Sequence, residues 1–346
     1  MKNPILISRR KSCVLCFRAV PYFLTGMIAT SLLDSDSRQF NLFDLASAEK
    51  GKIIQESGNF LQEIDRLKQL AIPKESHLYQ PPTVAELNQF KMLANAYIAH
   101  NWQEVNKQAK LVGYELVEFF DLSTKQVFYG LREKRSQNQS QRGWGSYFIN
   151  PNYRINALLE VPHIIFDRFS EEIGAKVFLL SSAGGFLLAG AHRNANGFNT
   201  ADVCNPINSV FQTVHQAWVD AGIKTWQIHG FELANQFKFP SDTDAVLSNG
   251  RGEVTPEIKN LNQVLRRAGV QAYVYNTLPP SSPFNQEVNG EVSGQIFSPL
   301  GASQNVQGIY SALQQRAFTH VELGEQLRRK KTERDRVAKL IANSIN

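Results

Sequence analysis

The chain has 346 residues, 42% of them hydrophobic and 20% charged, with 22 Phe and 4 Trp. That balance supports a sizeable buried core and excludes collagen-like, coiled-coil and wholly disordered chains. Net charge is +6, but residues 1–48 hold six Lys/Arg against three Asp, and the run 328–339 holds seven basic residues against two acidic ones; charge confined to the ends argues against a nucleic-acid partner.

The N-terminus reads as a leader. Ser8, Arg9, Arg10 and Lys11 precede a mostly apolar stretch, 13–33, which Arg18 and Pro21 interrupt. Ala46, Ser47 and Ala48 then match the small-x-small pattern of a signal peptidase site. The Ser-Arg-Arg start is a partial match to a twin-arginine signal. Residues 1–48 are therefore expected to export the chain to the periplasm or outside, with membrane attachment only through an uncleaved leader. Cys13 and Cys16 lie in this segment, and Cys204 is the remaining cysteine. Three cysteines so placed build neither a disulfide framework nor a cysteine zinc cluster.

Residues 49–72 and 84–112 carry apolar residues at steps of three and four, which predicts two helices. Pro73, Pro81 and Pro82 separate them. A β-hairpin is expected at 114–131, completing a helical annex plus hairpin over 49–148. From 149 to 324 the pattern becomes α/β. Strands are expected at 155–161, 176–180, 186–190, 225–228, 245–248, 270–275 and 317–323. Helices are expected at 207–221, 256–268 and 305–315, with a basic C-terminal helix over 325–346. Both faces of that last helix are charged, so it reads as solvated. Alternating strands and helices predict an α/β fold, its mostly parallel or mixed sheet flanked by helices.

In open α/β sheets the site lies at the carboxyl ends of the strands. Four strand ends there carry polar residues: His163; His192 with Arg193; His229; and His320 with Glu322. Neutral imidazoles with one carboxylate suit a zinc ion that keeps a position open for water. His163 with Asp167, Glu171 or Glu172 can chelate a metal from one side, and His229 from the other. Zinc makes a bound water acidic near pH 7 and polarises a carbonyl. Glu322 can then take the water proton, and Arg193 can hold a substrate carboxylate or steady an oxyanion. Asp202 reads as a helix cap, and His215, with Phe211 and Trp218, as packing. His320 is equally compatible with a metal ligand and an outer partner. There is no G-x-S-x-G, P-loop, G-x-G-x-x-G or H-E-x-x-H. Cys204 with His215 makes a weak nucleophile pair.

This order, a histidine with a nearby acid, then Arg193 with Asn194 and Asn196, then His229, then Glu322, resembles the zinc carboxypeptidase-like enzymes. That group includes N-formylglutamate amidohydrolase-like and poly-γ-glutamate hydrolase-like proteins. The resemblance covers roughly residues 150–325. It implies two histidines and one acid on zinc, with His163, Asp167, Glu171 and His229 as candidates. It further implies Glu322 as base, Arg193 as carboxylate clamp, and His192 and Asn196 near the substrate. The implied activity is hydrolysis of an amide bond near a carboxylate, in a peptide, N-acyl amino acid or cell-wall fragment. One departure is plain. The family has H-x-x-E, whereas Phe166 stands at the acid position and Asp167 follows it. That departure leaves open an alternative, a non-catalytic exported binding or scaffold protein of the same fold.

Overall fold

The computed structural model describes residues 53–134 and 141–345. The leader, its cysteines and its cleavage motif lie outside the described residues. Ten strands form one mixed sheet in the order β1-β2-β3-β4-β6-β5-β7-β10-β8-β9. They are β1 Ile54–Gly58, β2 Tyr114–Asp121, β3 Gln126–Glu133, β4 Ser146–Ile149, β5 Ile155–Val161, β6 Ala183–Leu188, β7 Lys224–Phe231, β8 Ala245–Ser248, β9 Ala272–Val274 and β10 Phe318–Gly324. The central run β6-β5-β7-β10 is parallel. The pairs β2–β3, β3–β4, β4–β6 and β10–β8 are antiparallel. The hairpin is thus continuous with the α/β sheet.

Strand alternation sends side chains to two faces. On one face Phe119, Phe128, Leu159, Val161, Phe186, Trp226, Ile228, Val321 and Leu323 pack into one core. Helices Phe60–Leu70, Ser170–Ser181, Pro256–Arg267 and Lys331–Ile345 cover it. On the other face Leu116, Leu131, Tyr147, Leu158 and Leu187 meet helices Val84–Ile98, Trp102–Leu111 and Val210–Asp220. The helix starts are chemically marked. Asn59 caps Gln62 N, Thr83 and Glu86 form a capping box, and Thr255 precedes Pro256 at the first helical position.

Several expected elements differ. The helix expected over 49–72 is a strand, Ile54–Gly58, followed by a helix beginning at Phe60. Gly58 and the Asn59 cap break the run, and Phe60 enters a cage of five aromatic rings. The segment 84–112 is two helices, because His100 has φ 56 and Asn101 caps a new start. Residues 176–180 are not a strand but part of the helix Ser170–Ser181. That helix is buried nearly all round, so its apolar run has no readable period. The basic end is likewise not a solvated helix. It divides at Lys330, and Val337, Ala338 and Ile341 are wholly buried. Arg334 is buried with them, paired to Glu172 at 2.7 Å.

Among the described residues no helix is long and apolar enough to cross a membrane.

Candidate metal centre

The register of three parallel strands builds the site. Glu160 lies beside Gln227 across β5 and β7. His320 lies beside Gln227, and Glu322 beside His229, across β7 and β10. Alternation puts all five on the face opposite Trp226, Ile228 and Val321. Beyond β5 the chain turns tightly, with Asp167 N donating to His163 O at 3.0 Å and Ser170 N to Asp167 O at 2.9 Å. That turn returns Asp167 beneath the His163 ring.

Three donor atoms converge. His163 Nδ1 is 3.1 Å from Asp167 Oδ2, His229 Nδ1 is 3.1 Å from the same oxygen, and the two Nδ1 atoms are 3.2 Å apart. Tetrahedral zinc with bonds of roughly 2.0–2.1 Å separates its ligand atoms by about 3.3 Å. The triangle matches that size.

The outer nitrogens decide the chemistry. His163 Nε2 meets Asp202 Oδ1 at 3.0 Å, an acceptor, so it carries a hydrogen. His229 Nε2 meets Gln227 Oε1 at 2.8 Å. Gln227 Nε2 donates to Glu160 Oε2 at 3.0 Å, so its oxygen faces His229, whose Nε2 also carries a hydrogen. In neutral rings both Nδ1 lone pairs then face each other and a carboxylate oxygen. Three acceptors that converge without a donor repel unless a cation or a proton lies among them. The donor set therefore fits a zinc ion, and its outer hydrogen bonds are those that orient metal-bound histidines.

Without a cation the charges compensate through protons. Burial opposes charging of His163, but Asp167 and Cys204, with the hydrogen bonds to Asp167 and Asp202, outweigh it and raise its pKa well above the usual value. Burial alone would raise Asp167, yet His163 and His229 hold it below the ordinary carboxylate range. His229 and His320 are both lowered, mainly by burial. Burial, then the Asp167 charge, pushes Glu322 up to about 8.

This gives a pH prediction. A carboxyl raised in the fold favours the protonated native state, so its contribution is complete below the ordinary 4.5 and lost as pH rises through about 8. Metal-free protein should lose stability across that window relative to Glu322→Gln. Thermal unfolding of both proteins at several pH values checks this; parallel curves would refute it.

The remaining expected residues are distributed as follows. His320 and Glu322 are buried beside His229, their Nε2 and Oε1 3.6 Å apart, with His320 Nδ1 and Glu322 Oε2 lacking partners among the described residues. Arg193 donates to Asp202 and, at 3.2 Å, to Asn199 Oδ1, with its guanidinium 5.1 Å from the Phe166 ring. His192 lines the cleft with them, its Nδ1 accepting from Asn194 N at 3.0 Å. Two expected residues do not join the group. Glu171 sits at the start of a helix and pairs with Lys68 at 2.5 Å, away from the histidines. Asn196 is consumed by the backbone of Tyr79, accepting at 3.1 Å and donating at 2.8 Å. Glu172, the third acid left open, pairs with Lys176 and Arg334.

Two residues escaped sequence reasoning. Asp202 is no helix cap; it takes His163, Arg193, Asn205 Nδ2 and Cys204 N on its two oxygens. Gln227 gave no signal beyond sharing a face with His229. Cys204 does not pair with His215; burial pushes its thiol up to about 11, too high for a nucleophile at neutral pH.

The cluster opens into a cleft of about 1420 Å³, lined also by Lys74, Arg168, Phe231, Asn305 and Arg329. Arg328 forms part of its wall. This buried arginine donates to the carbonyls of Leu323, Arg168 and Phe231 at 2.9, 2.6 and 2.9 Å. Its guanidinium lies where a Cβ on Gly230 would stand, 2.4 Å from Cζ. Gly230→Ala should displace it and cost about 1–3 kcal/mol. A melting temperature unchanged from wild type would contradict that packing.

No family model matches the chain, and no curated protein matches it. Among solved structures it is similar to a gene product of Agrobacterium tumefaciens, at 8% identity and TM-score 0.36, over 56% of this chain and 90% of that one. It is similar to a provisionally named carboxypeptidase A from Shewanella denitrificans, at 9% identity and TM-score 0.33, over 71% and 68%. It is similar to a provisionally named carboxypeptidase from Burkholderia mallei, at 8% identity and TM-score 0.32, over 78% and 68%. Likenesses this distant carry no argument about fold or activity.

Proposed function

We propose that the chain is an exported, zinc-dependent hydrolase that cleaves an amide bond near a carboxylate. The observation that carries the reading is the triangle of His163 Nδ1, Asp167 Oδ2 and His229 Nδ1, whose sides of 3.1–3.2 Å match the spacing of ligand atoms around one small cation. These three residues would hold the metal. Bound zinc supplies Lewis acidity that polarises a carbonyl and makes water a nucleophile near neutral pH.

The chain's own groups do the rest. Asp202 and Gln227 hold the imidazoles with Nδ1 inward. Glu322, with Oε2 unpartnered, accepts the proton of the attacking water and passes it to the leaving amine. A cation among the donors offsets the Asp167 charge that raises Glu322, and so favours its basic form. Arg193 has two donors engaged by Asp202 and Asn199, which leaves Nη1 for a substrate carboxylate. Phe166, half-exposed at the cleft, offers an apolar surface beside it. The substrate is a peptide, an N-acyl amino acid or a cell-wall fragment.

The test is zinc content of the purified full-length chain by native mass spectrometry, together with a hydrolysis screen of N-acyl amino acids and peptides with and without a chelator. About one zinc per chain and chelator-sensitive hydrolysis are expected. A folded protein that takes up no zinc when supplied with it would overturn the reading and favour the binding-protein alternative.

A further inference from the structure

We propose that Gln227, locked by the buried Glu160–His215 pair, is a positioning residue that selects which nitrogen of His229 faces the metal donors. The inference rests on reading His229 as a ligand, and extends it two residues into the core.

Glu160, Gln227, His215 and Ser311 are wholly buried. Glu160 Oε1 takes His215 Nδ1 at 2.8 Å, and Oε2 takes Gln227 Nε2 at 3.0 Å. His215 Nε2 is then free to accept from Ser311 Oγ at 3.3 Å. A carboxylate oxygen offers no hydrogen, so the Gln227 amide nitrogen must point at Glu160 and its oxygen at His229.

A second lock acts independently. Asn305 caps the helix Val306–Leu313 by accepting Gly308 N on Oδ1 at 3.0 Å. Its Nδ2 is therefore the atom that meets Gln227 Oε1, at 2.6 Å. Gln307 supplies a third constraint. Its Nε2 donates to Val203 O and Gln212 Oε1, which turns its own oxygen toward Gln227 Nε2 at 3.4 Å. Each neighbour demands the same amide orientation. The reverse orientation would set an NH₂ against His229 Nε2, drive the ring proton to Nδ1 and remove the lone pair from the cluster.

Burying a carboxylate so deeply is costly unless it is paired and hydrogen-bonded. An apolar side chain would fill position 160 at less cost. Glu160 is the charged member of the three neighbours that fix the polarity of Gln227, and thereby of His229.

The experiment uses the full-length chain, with zinc ion and a chromogenic chelator as competing probes, and nitrogen-resolved NMR of the histidine rings in metal-free protein. In wild type, His229 should carry its proton on Nε2. Gln227→Leu should weaken zinc binding roughly 10–100-fold, and Glu160→Gln by a smaller factor, because Asn305 and Gln307 still hold the amide. The double variant Glu160→Gln/Gln227→Glu should restore it, because the carboxylate now at 227 accepts from both His229 and the new amide. Wild-type affinity in both single variants would overturn the proposal, as would no recovery in the double variant or a proton on Nδ1 of wild-type His229. If Gln227→Leu does not fold, the isosteric Glu160→Gln and the double variant decide. If the wild type binds no zinc, the metal reading fails and the NMR result alone decides the orientation claim.

Discussion

Glu322→Gln is expected to lower turnover about 100- to 10,000-fold while leaving zinc bound, the usual effect of removing a general base. The amide has the same shape and cannot accept the proton. Glu322 stands beside His229 in the β7–β10 register, so it projects from a hydrogen-bonded strand and not from a loop. It is buried, and Oε2 has no partner to satisfy among the described residues. None of the three metal donors changes. The loss should therefore fall on kcat, with KM nearly constant, because the group acts on the reacting proton and does not grip the ground state. Steady-state kinetics on a hydrolysed N-acyl amino acid or peptide would measure it, and full activity in the variant would sink the mechanism.

The largest effect on composition should come from His163→Ala/His229→Ala. It removes two of three donors and leaves Asp167 alone against the cation. Zinc should fall from about one per chain to none detectable. The metal-free fold should also suffer, since Asp167 and Asp202 lose the ring that pairs with both, at 3.1 and 3.0 Å. Buried carboxylates stripped of a partner are strongly destabilising, by about 3–5 kcal/mol. Native mass spectrometry and thermal unfolding read the two consequences separately. Stoichiometric zinc retained by a folded double variant would place the metal elsewhere.

The parallel core and the positions of His163, His229 and Glu322 were legible because each rests on a local pattern. Strands β5 and β8 matched their expected bounds, since short β-branched and apolar runs ended at polar or proline residues. The acid next to His163 was not legible. Asp167, Glu171 and Glu172 all lie close together in the sequence, and only the turn from His163 to Ser170, with Phe169 at φ 69, decides which carboxylate faces inward. Asp202 and Gln227 were missed for a different reason. Their roles depend on contacts 39 and 67 residues away along the chain, and neither carries a periodic or motif signal. Asn196 misled because an Asn shortly after Arg193 looks polar and available, whereas Tyr79, from a distant segment, uses both ends of its amide.

Strand β10 is read from two sides at once. Its odd residues, Val321 and Leu323, fill the apolar layer, while its even residues, His320 and Glu322, face the cleft. A slip of one position against β7 would exchange the two sets completely. The geometry of the candidate site and the stability of the core therefore share a single error check. A one-residue insertion or deletion here cannot damage the site and spare the fold, or the reverse. Point substitutions on one face can still be tuned without disturbing the other, so this strand should tolerate chemical change and resist changes of length.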